Sequence, residues 1–290
     1  MTSPAFPPRS ILVPTDLSAT SLPALHFARV LHQQFGGKVH VLHARHFEMP
    51  PYFSSGQIQD LTREIRKSAK AAAEYLRKES IAVLGFEAEV AIAEKPPVDA
   101  ILEAAATLSA DLIVMGTHGR RGADRFWLGS VAERILHEST TPILAVRQGM
   151  VAAPFTHILC PVSFTDLSKQ ALDYAVAMTE AGRLRLTVLH ALEEGDGTLD
   201  CALVPAEVRE RCRIEELTYP GDAAKAILSA ATEFKPDLIV MGAQRKSSLF
   251  GELLSSTTER VMQWGEAPLL VVPKPAGVQR TTSGEKGGTQ

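Results

Sequence analysis

Residues 11–44 (ILVPTDLSATSLPALHFARVLHQQFGGKVHVLHA) align without a gap on residues 158–191 (ILCPVSFTDLSKQALDYAVAMTEAGRLRLTVLHA), with 11 of 34 positions identical at an offset of 147. Residues 111–146 align in the same way on 237–272, with 13 of 36 identical at an offset of 126. Two blocks recurring in the same order mark an internal duplication, and that constrains the fold more than any other feature of the chain. The offsets differ by 21 residues, so the second copy is shorter by that amount between its blocks. Domains are therefore expected at 1–150 and 151–290, joined at RQGMVAAPFT.

Each copy alternates short β-branched runs with longer helical patterns. In the first, strands are predicted at 10–13, 38–43, 86–92, 111–115 and 142–146, and helices at 20–35, 57–79, 98–109 and 130–139. Ile58, Leu61, Ile65, Ala69, Ala72 and Leu76 recur every three or four residues along the longest helix, a stripe suited to lying on a sheet. Such alternation implies an α/β fold with a doubly wound, Rossmann-like, five-stranded parallel sheet in each copy, because right-handed crossovers leave few other topologies. The second copy has the acidic, weakly periodic stretch LEEGDGTLDCALVPAEVRE at 192–210 in place of the long helix, so its second helix is expected to be short or absent. The tails 1–8 and 274–290 carry too little apolar content to pack and are expected to be mobile.

Bulk properties exclude several functions. With a net charge of −3 there is no general basic field for nucleic acid or an anionic membrane, so any phosphate must be bound locally. Three cysteines, Cys160, Cys201 and Cys212, show no metal-ligand spacing and suit a reduced cytosol. The N-terminus lacks the charge and apolar run of a secretion signal, and no stretch reaches the roughly 18 apolar residues of a membrane span.

In a doubly wound sheet a ligand sits beyond the carboxyl ends of the strands where the strand order reverses. For the order 3-2-1-4-5 that point lies between strands one and four, so VPTD, ending at Asp16, and the glycine-rich GTHGRRGADRFWLGS (116–130) face one crevice. Gly116 and Gly119 let backbone N–H groups approach a ligand and accept positive φ, while Gly129 removes a side chain before the helix at Ser130. The first turn of that helix offers unpaired N–H groups and a positive dipole end, both favourable to phosphate.

Gly116-Thr-His-Gly119, nine residues, then Gly129-Ser130 resembles the G-x-x-G-x9-G-S/T signature of the universal stress protein family, ATP-binding branch, and the resemblance spans both copies. It implies the adenine-nucleotide α-hydrolase-like version of the fold. It also implies that Pro14, Thr15 and Asp16 lie near adenine and ribose, with Asp16 accepting ribose hydroxyls, and that Ala44 meets adenine through its backbone. Met115, Gly116, Gly119, Arg120, Gly129, Ser130 and Val131 would then line ribose and triphosphate, with Mg2+ on the phosphates. The last strands, PILAV and PLLVV, are those that pair between domains in the family, so the tandem chain resembles a covalent dimer that can itself dimerise.

Plainer readings stand beside these. Ser130 with Glu133, like Ser256 with Glu259, spells a capping box. Asp16 is placed to cap the first helix, as are Ser18 and Thr20. Arg120, Arg121 and Arg125 are otherwise solvated loop residues, as is His118. His40, His43 and His46 alternate across a strand and cannot converge on a metal, so packed, hydrogen-bonded histidines are expected; Cys160 reads as a small buried residue.

In the second copy Ser163 stands where the first has Asp16, Arg245 where it has Gly119 and Ser255 where it has Gly129, while Gly242 matches Gly116. One nucleotide per chain is expected, in the first domain, with the second kept for folding and pairing. The function expected is that of a cytoplasmic, ATP-dependent stress-response switch. The chain has no Walker GxxxxGKS/T, no SGGxDS-type loop and no carboxylate plainly placed to activate water, so any hydrolysis should be slow. A dimerising scaffold without nucleotide, or a slow ATP-hydrolysing enzyme, are the alternatives.

Overall fold

The computed structural model describes residues 6–46, 52, 54–117, 128–163, 165–192, 204, 206–242, 245–248, 251–254 and 256–274. In the first half the order is β1 (Ser10–Pro14), α1 (Leu22–Phe35), β2 (Lys38–Ala44), α2 (Ser55–Leu84), β3 (Glu89–Ala93), α3 (Pro97–Thr107), β4 (Leu112–Gly116), α4 (Ser130–Glu138) and β5 (Ile143–Val146). The second half repeats it with β6 (His157–Val162), α5 (Asp166–Gly182), β7 (Arg185–Leu192), α6 (Ala206–Arg211), β8 (Arg213–Pro220), α7 (Ala223–Phe234), β9 (Leu238–Gly242), the hairpin β10 (Arg245–Ser248) and β11 (Gly251–Leu254), α8 (Ser256–Trp264) and β12 (Leu269–Val272).

Ten strands form one sheet in the order β3-β2-β1-β4-β5-β12-β9-β6-β7-β8, so both halves have the expected 3-2-1-4-5 arrangement. All pairs are parallel except β5 with β12, which run antiparallel with Leu270 opposite Leu144. The carboxyl ends of the two sets of strands therefore point in opposite directions at the seam. Central strands such as Ile11–Val13 and Leu112–Met115 are buried throughout, as apolar runs covered by helices on both faces should be. Each face carries one apolar cluster, and each cluster draws on both halves.

Phe27 stacks on Phe155, and Gln34 holds the Phe155 backbone twice: its Nε2 donates to the carbonyl at 2.7 Å and its Oε1 accepts the N–H at 2.9 Å. Phe6 sits edge-on to Phe35 and Tyr174, and Pro8 is buried, which corrects the expectation that the whole tail 1–8 fails to pack. Two aromatic partners are enough to hold a short apolar stretch that composition alone leaves unassigned.

Two further features differ from the sequence reading, and one agrees with it. Helix α2 has 30 residues, about 45 Å at 1.5 Å per residue, against a five-residue neighbouring strand β3 of about 17 Å. It overshoots the sheet, so of the periodic apolar stripe only Leu76 is fully buried and Ile58 remains 39% exposed. The hairpin β10–β11 was not foreseen. It occupies the sequence position of the first half's glycine-rich stretch, and β11 lies against α4. The short helix expected in the second half is the six-residue α6. Among the described residues, no helix is long and apolar enough to cross a membrane.

Candidate functional site

Strands β1 and β4 are neighbours, with Ile11 opposite Leu112, while β2 and β5 lie outside them. The chain moves to one side after β1 and to the other after β4, so their carboxyl ends open the crevice expected at such a switch point. Pro14 ends β1 opposite Leu42, whereas Ala44 continues past that end and pairs only with Ala93 of β3. Backbone groups of Ala44 therefore border the crevice.

Residues 15–21 form a self-bonded loop. Thr15 is 6% exposed, its N–H donates to the Leu42 carbonyl at 2.8 Å, and its hydroxyl pairs with Ser21 Oγ at 2.8 Å and accepts Leu17 N–H at 3.1 Å. Asp16 Oδ1 accepts Ser18 N–H at 3.0 Å and Ser18 Oγ–H at 2.5 Å. Neither Asp16, Ser18 nor Thr20 caps α1: the N-cap is Ser21, which makes no side-chain cap bond, and Pro23 occupies the first turn, where a missing N–H costs little. Leu17 has φ 61°, an uncommon conformation for a γ-branched residue, and its half-buried side chain packs on the core. The loop thus holds the Asp16 carboxyl group through its own hydrogen bonds, independent of helix capping.

On the β4 side Met115 is 5% exposed and packed, so only its backbone can border the crevice. Gly116 is a glycine for a reason other than the one expected. It is not among the residues with positive φ; instead, a Cβ added there would lie 2.7 Å from the Thr20 carbonyl oxygen. The backbone ahead of α1 passes too close to β4 for any side chain. Gly119 and Arg120 lie outside the described residues, as do His118, Arg121 and Arg125.

Thr117 N–H donates to the Val146 carbonyl, and Gly129 N–H donates to the Thr117 carbonyl at 2.7 Å, which brings the start of α4 back to the end of β4. Gly129 is the N-cap, with φ −65° and ψ 140°, and its carbonyl accepts Glu133 N–H. The expected capping box is therefore absent. Ser130 is the first helical residue, one position too late for its hydroxyl to bond the N3 amide as a box requires. Ser130 is exposed, and Val131 is partly buried against the apolar cluster on that face. Because the Gly129 backbone is one that any residue adopts, only the missing side chain distinguishes glycine there.

Two of the three histidines expected to pack do so, whereas His46 lies beyond the end of β2 and is exposed, since only residues within the strand are covered by the neighbouring elements. His40 Nδ1 meets Glu89 at 2.9 Å, and His43 Nδ1 meets the Thr15 carbonyl at 2.8 Å. His190 repeats the second contact on the Val162 carbonyl at 3.0 Å, at the equivalent place in the other half. Asp111 Oδ2 accepts the N–H groups of Arg9 and Ser10, and Asp237 Oδ2 those of Thr156 and His157. These ties went unread, although the repeated LHA and DLIVMG carried the signal. Cys160 is fully buried, and burial pushes its thiol well above the ordinary range. Among the described residues no cluster of His, Cys, Asp or Glu is arranged to hold a metal.

The corresponding corner of the second half is built differently. Thr165 caps α5 by accepting Ser168 N–H, Ser168 Oγ accepts Ser163 N–H, and Ser163 Oγ pairs with Thr165 Oγ1. The helix starts at Asp166, although Lys169 is the residue aligned with Leu22 at the start of α1. Hydroxyls and an extra helical turn occupy the place where the first half keeps Asp16 and an open loop. Gly242 retains its glycine for the same steric reason as Gly116: an added Cβ would lie 2.7 Å from the Leu167 carbonyl.

The sheet order, the switch-point crevice and the helix-opening glycine are those of a doubly wound, Rossmann-like α/β protein, and comparison with known proteins makes the class specific. The model of the universal stress protein family matches residues 8–147 and 202–273, and the chain belongs to that family. It is 33% identical over 140 residues to a universal stress protein of Thermus aquaticus, covering 98% of that protein and 48% of this chain. A universal stress protein of Methanocaldococcus jannaschii is 29% identical over 143 residues, 82% of its own length. Both relatives correspond to about half of this chain. Across both halves, a universal stress protein structure from Archaeoglobus fulgidus matches with a TM-score of 0.72 and 25% identity, covering 92% of this chain and 99% of that one.

Proposed function

We propose that the protein is a nucleotide-dependent stress-response switch that binds one ATP, with Mg2+, at the β1–β4 crevice of a first domain, residues 1–150. A second domain, residues 151–290, has a degenerate site and serves folding and pairing. The observation that carries this reading is Gly129, at the entrance of α4, where the backbone would accept any residue and a side chain is nevertheless absent. Beyond Gly129, whose own N–H is held by Thr117, the first-turn N–H groups of α4 have no acceptor within the helix and lie at the positive end of its dipole, which suits a polyphosphate. Asp16, held by Ser18, would accept the ribose hydroxyls. Ala44 and Thr15 would border adenine, Ser130 and Val131 the phosphates, and Gly119 and Arg120 the remainder of the triphosphate. Binding then acts by shifting a conformational or partner-binding equilibrium, with hydrolysis slow or absent. The setting is cytoplasmic, and a homodimer is part of the proposal.

Isothermal titration with Mg-ATP should give one site per chain. Gly129→Val should weaken binding at least tenfold, about 1.4 kcal/mol, with unfolding little changed. Unaltered affinity in that variant, or a stoichiometry of two, overturns the assignment. A second reading, a dimerising scaffold without nucleotide, is favoured by one observation: Asp16 Oδ1 is already used inside its own loop. It predicts no heat with any adenine nucleotide.

A further inference from the structure

We infer that Arg147 ties the nucleotide site of the first half to the last turn of α8 in the second half, so that occupancy of one half is read at the surface of the other. The inference rests on the nucleotide reading above and extends it to regulation. Arg147 follows β5 directly. Its Nη1 donates to the Gln263 carbonyl at 2.8 Å and its Nη2 to the Gly265 carbonyl. Those are carbonyls at the C-terminus of a helix, where no intrahelical donor remains and where a cation is favoured. Position 147 corresponds to Pro273 in the second half, which has no such donor, so the link is made in one direction only.

Arg147 also stands at the end of an unbroken run of backbone bonds that starts at the candidate phosphate site. Gly129 N–H is held by Thr117 O, and Thr117 N–H by Val146 O, the residue before Arg147. The antiparallel seam makes this possible, because it sets the carboxyl end of β5 beside the amino end of β12 and hence beside the end of α8. A phosphate drawing on the first-turn N–H groups of α4 pulls on the Gly129 cap, and the relay leads through three backbone steps to the guanidinium. Coupling of this kind needs a contiguous set of contacts and an element able to respond. The last turn of α8 is that element, and it ends in Trp264, which is 55% exposed.

The chain has two tryptophans, Trp127 and Trp264, so Trp127→Phe leaves Trp264 as the sole fluorescent reporter. Mg-ATP should then change Trp264 emission with the midpoint measured by calorimetry. Adding Arg147→Met should abolish the emission change while calorimetric binding persists, a separation that a purely structural role would not produce. Should either variant fold poorly, amide hydrogen exchange of residues 263–266 in the native chain serves instead, with slower exchange expected on Mg-ATP addition. Calorimetric binding with unchanged emission and unchanged exchange overturns the coupling and leaves the nucleotide reading standing. Absence of calorimetric binding overturns both.

Discussion

The two halves share a sheet order, yet they agree at some positions and part at others, and the division separates what folding needs from what a site needs. Gly116 and Gly242 lie against a backbone carbonyl in the same way, His43 and His190 bind the same carbonyl position, and Asp111 and Asp237 hold the first N–H groups of β1 and β6. Retention in both copies therefore marks architecture, including at Gly116, which its motif would assign to a ligand. Asp16 and Gly129 stand in the first half alone; Asp16 does not cap α1, and Gly129, though the N-cap of α4, has a backbone that needs no positive φ. The second half shows the consequence of losing the first of them: Thr165 and Ser168 close the corner and the helix extends into it.

The largest effect that tests this division is at Gly116. A Cβ at 2.7 Å from a backbone carbonyl forces the main chain to move, so Gly116→Ala and Gly242→Ala should each destabilise by about 1–3 kcal/mol in denaturant unfolding. Gly129→Ala, in contrast, should leave the unfolding midpoint within about 0.5 kcal/mol of the parent while weakening Mg-ATP binding. If Gly129→Ala proves as destabilising as Gly116→Ala, both glycines are architectural and the comparison no longer identifies a site.

A somewhat smaller effect is expected at the aspartates. Each carboxylate accepts two backbone N–H groups at the start of a central strand, so Asp111→Ala and Asp237→Ala leave donors without their partners, at about 1–3 kcal/mol each. The two losses should be similar and nearly additive, since the sites are far apart in the sheet. A loss in one half only, measured by urea unfolding of the single and double variants, would show that the equivalence is geometric without being energetic.

Much of this was legible in the sequence. Runs bounded by Gly, Pro or Asp gave every strand of the first half to within a few residues, the central ones because a strand covered on both faces is apolar throughout and the edge strand β3 by its alternation. The switch point followed from the order of the elements. Details settled by one residue of register were not legible: S-x-x-E reads as a capping box only until Gly129 turns out to be the cap. Nor was the length of α2 as a support, since periodicity shows an apolar stripe but not how far the sheet beneath it extends. The positive φ expected at Gly116 is absent, and the steric reason for its glycine, a contact with Thr20 almost a hundred residues away in sequence, leaves no local trace.

The smallest effect is a pH dependence confined to the second half. His157 stands where the first half has Ser10, and it is 4% exposed. Arg185 Nη2 lies 2.9 Å from its Nδ1 and Thr187 Oγ1 lies 2.8 Å from its Nε2, so Nδ1 accepts from the guanidinium and the proton resides on Nε2. Burial first, and the Arg185 charge second, hold the imidazole below its ordinary value of 6.5. A histidine that is harder to protonate when folded contributes stability above the unfolded value, and that stability is lost as pH falls through 6.5 toward the lower folded value. The urea midpoint should therefore fall between pH 7.5 and pH 5.5, and His157→Gln, which cannot take up the proton, should flatten that part of the profile. Ser10, at the equivalent place in the first half, has no titrating group, so amide exchange resolved by segment should find the acid-induced loosening at β6 and β7 before β1. Loosening that begins at β1 would place the acid-sensitive contact in the first half and remove His157 as its cause.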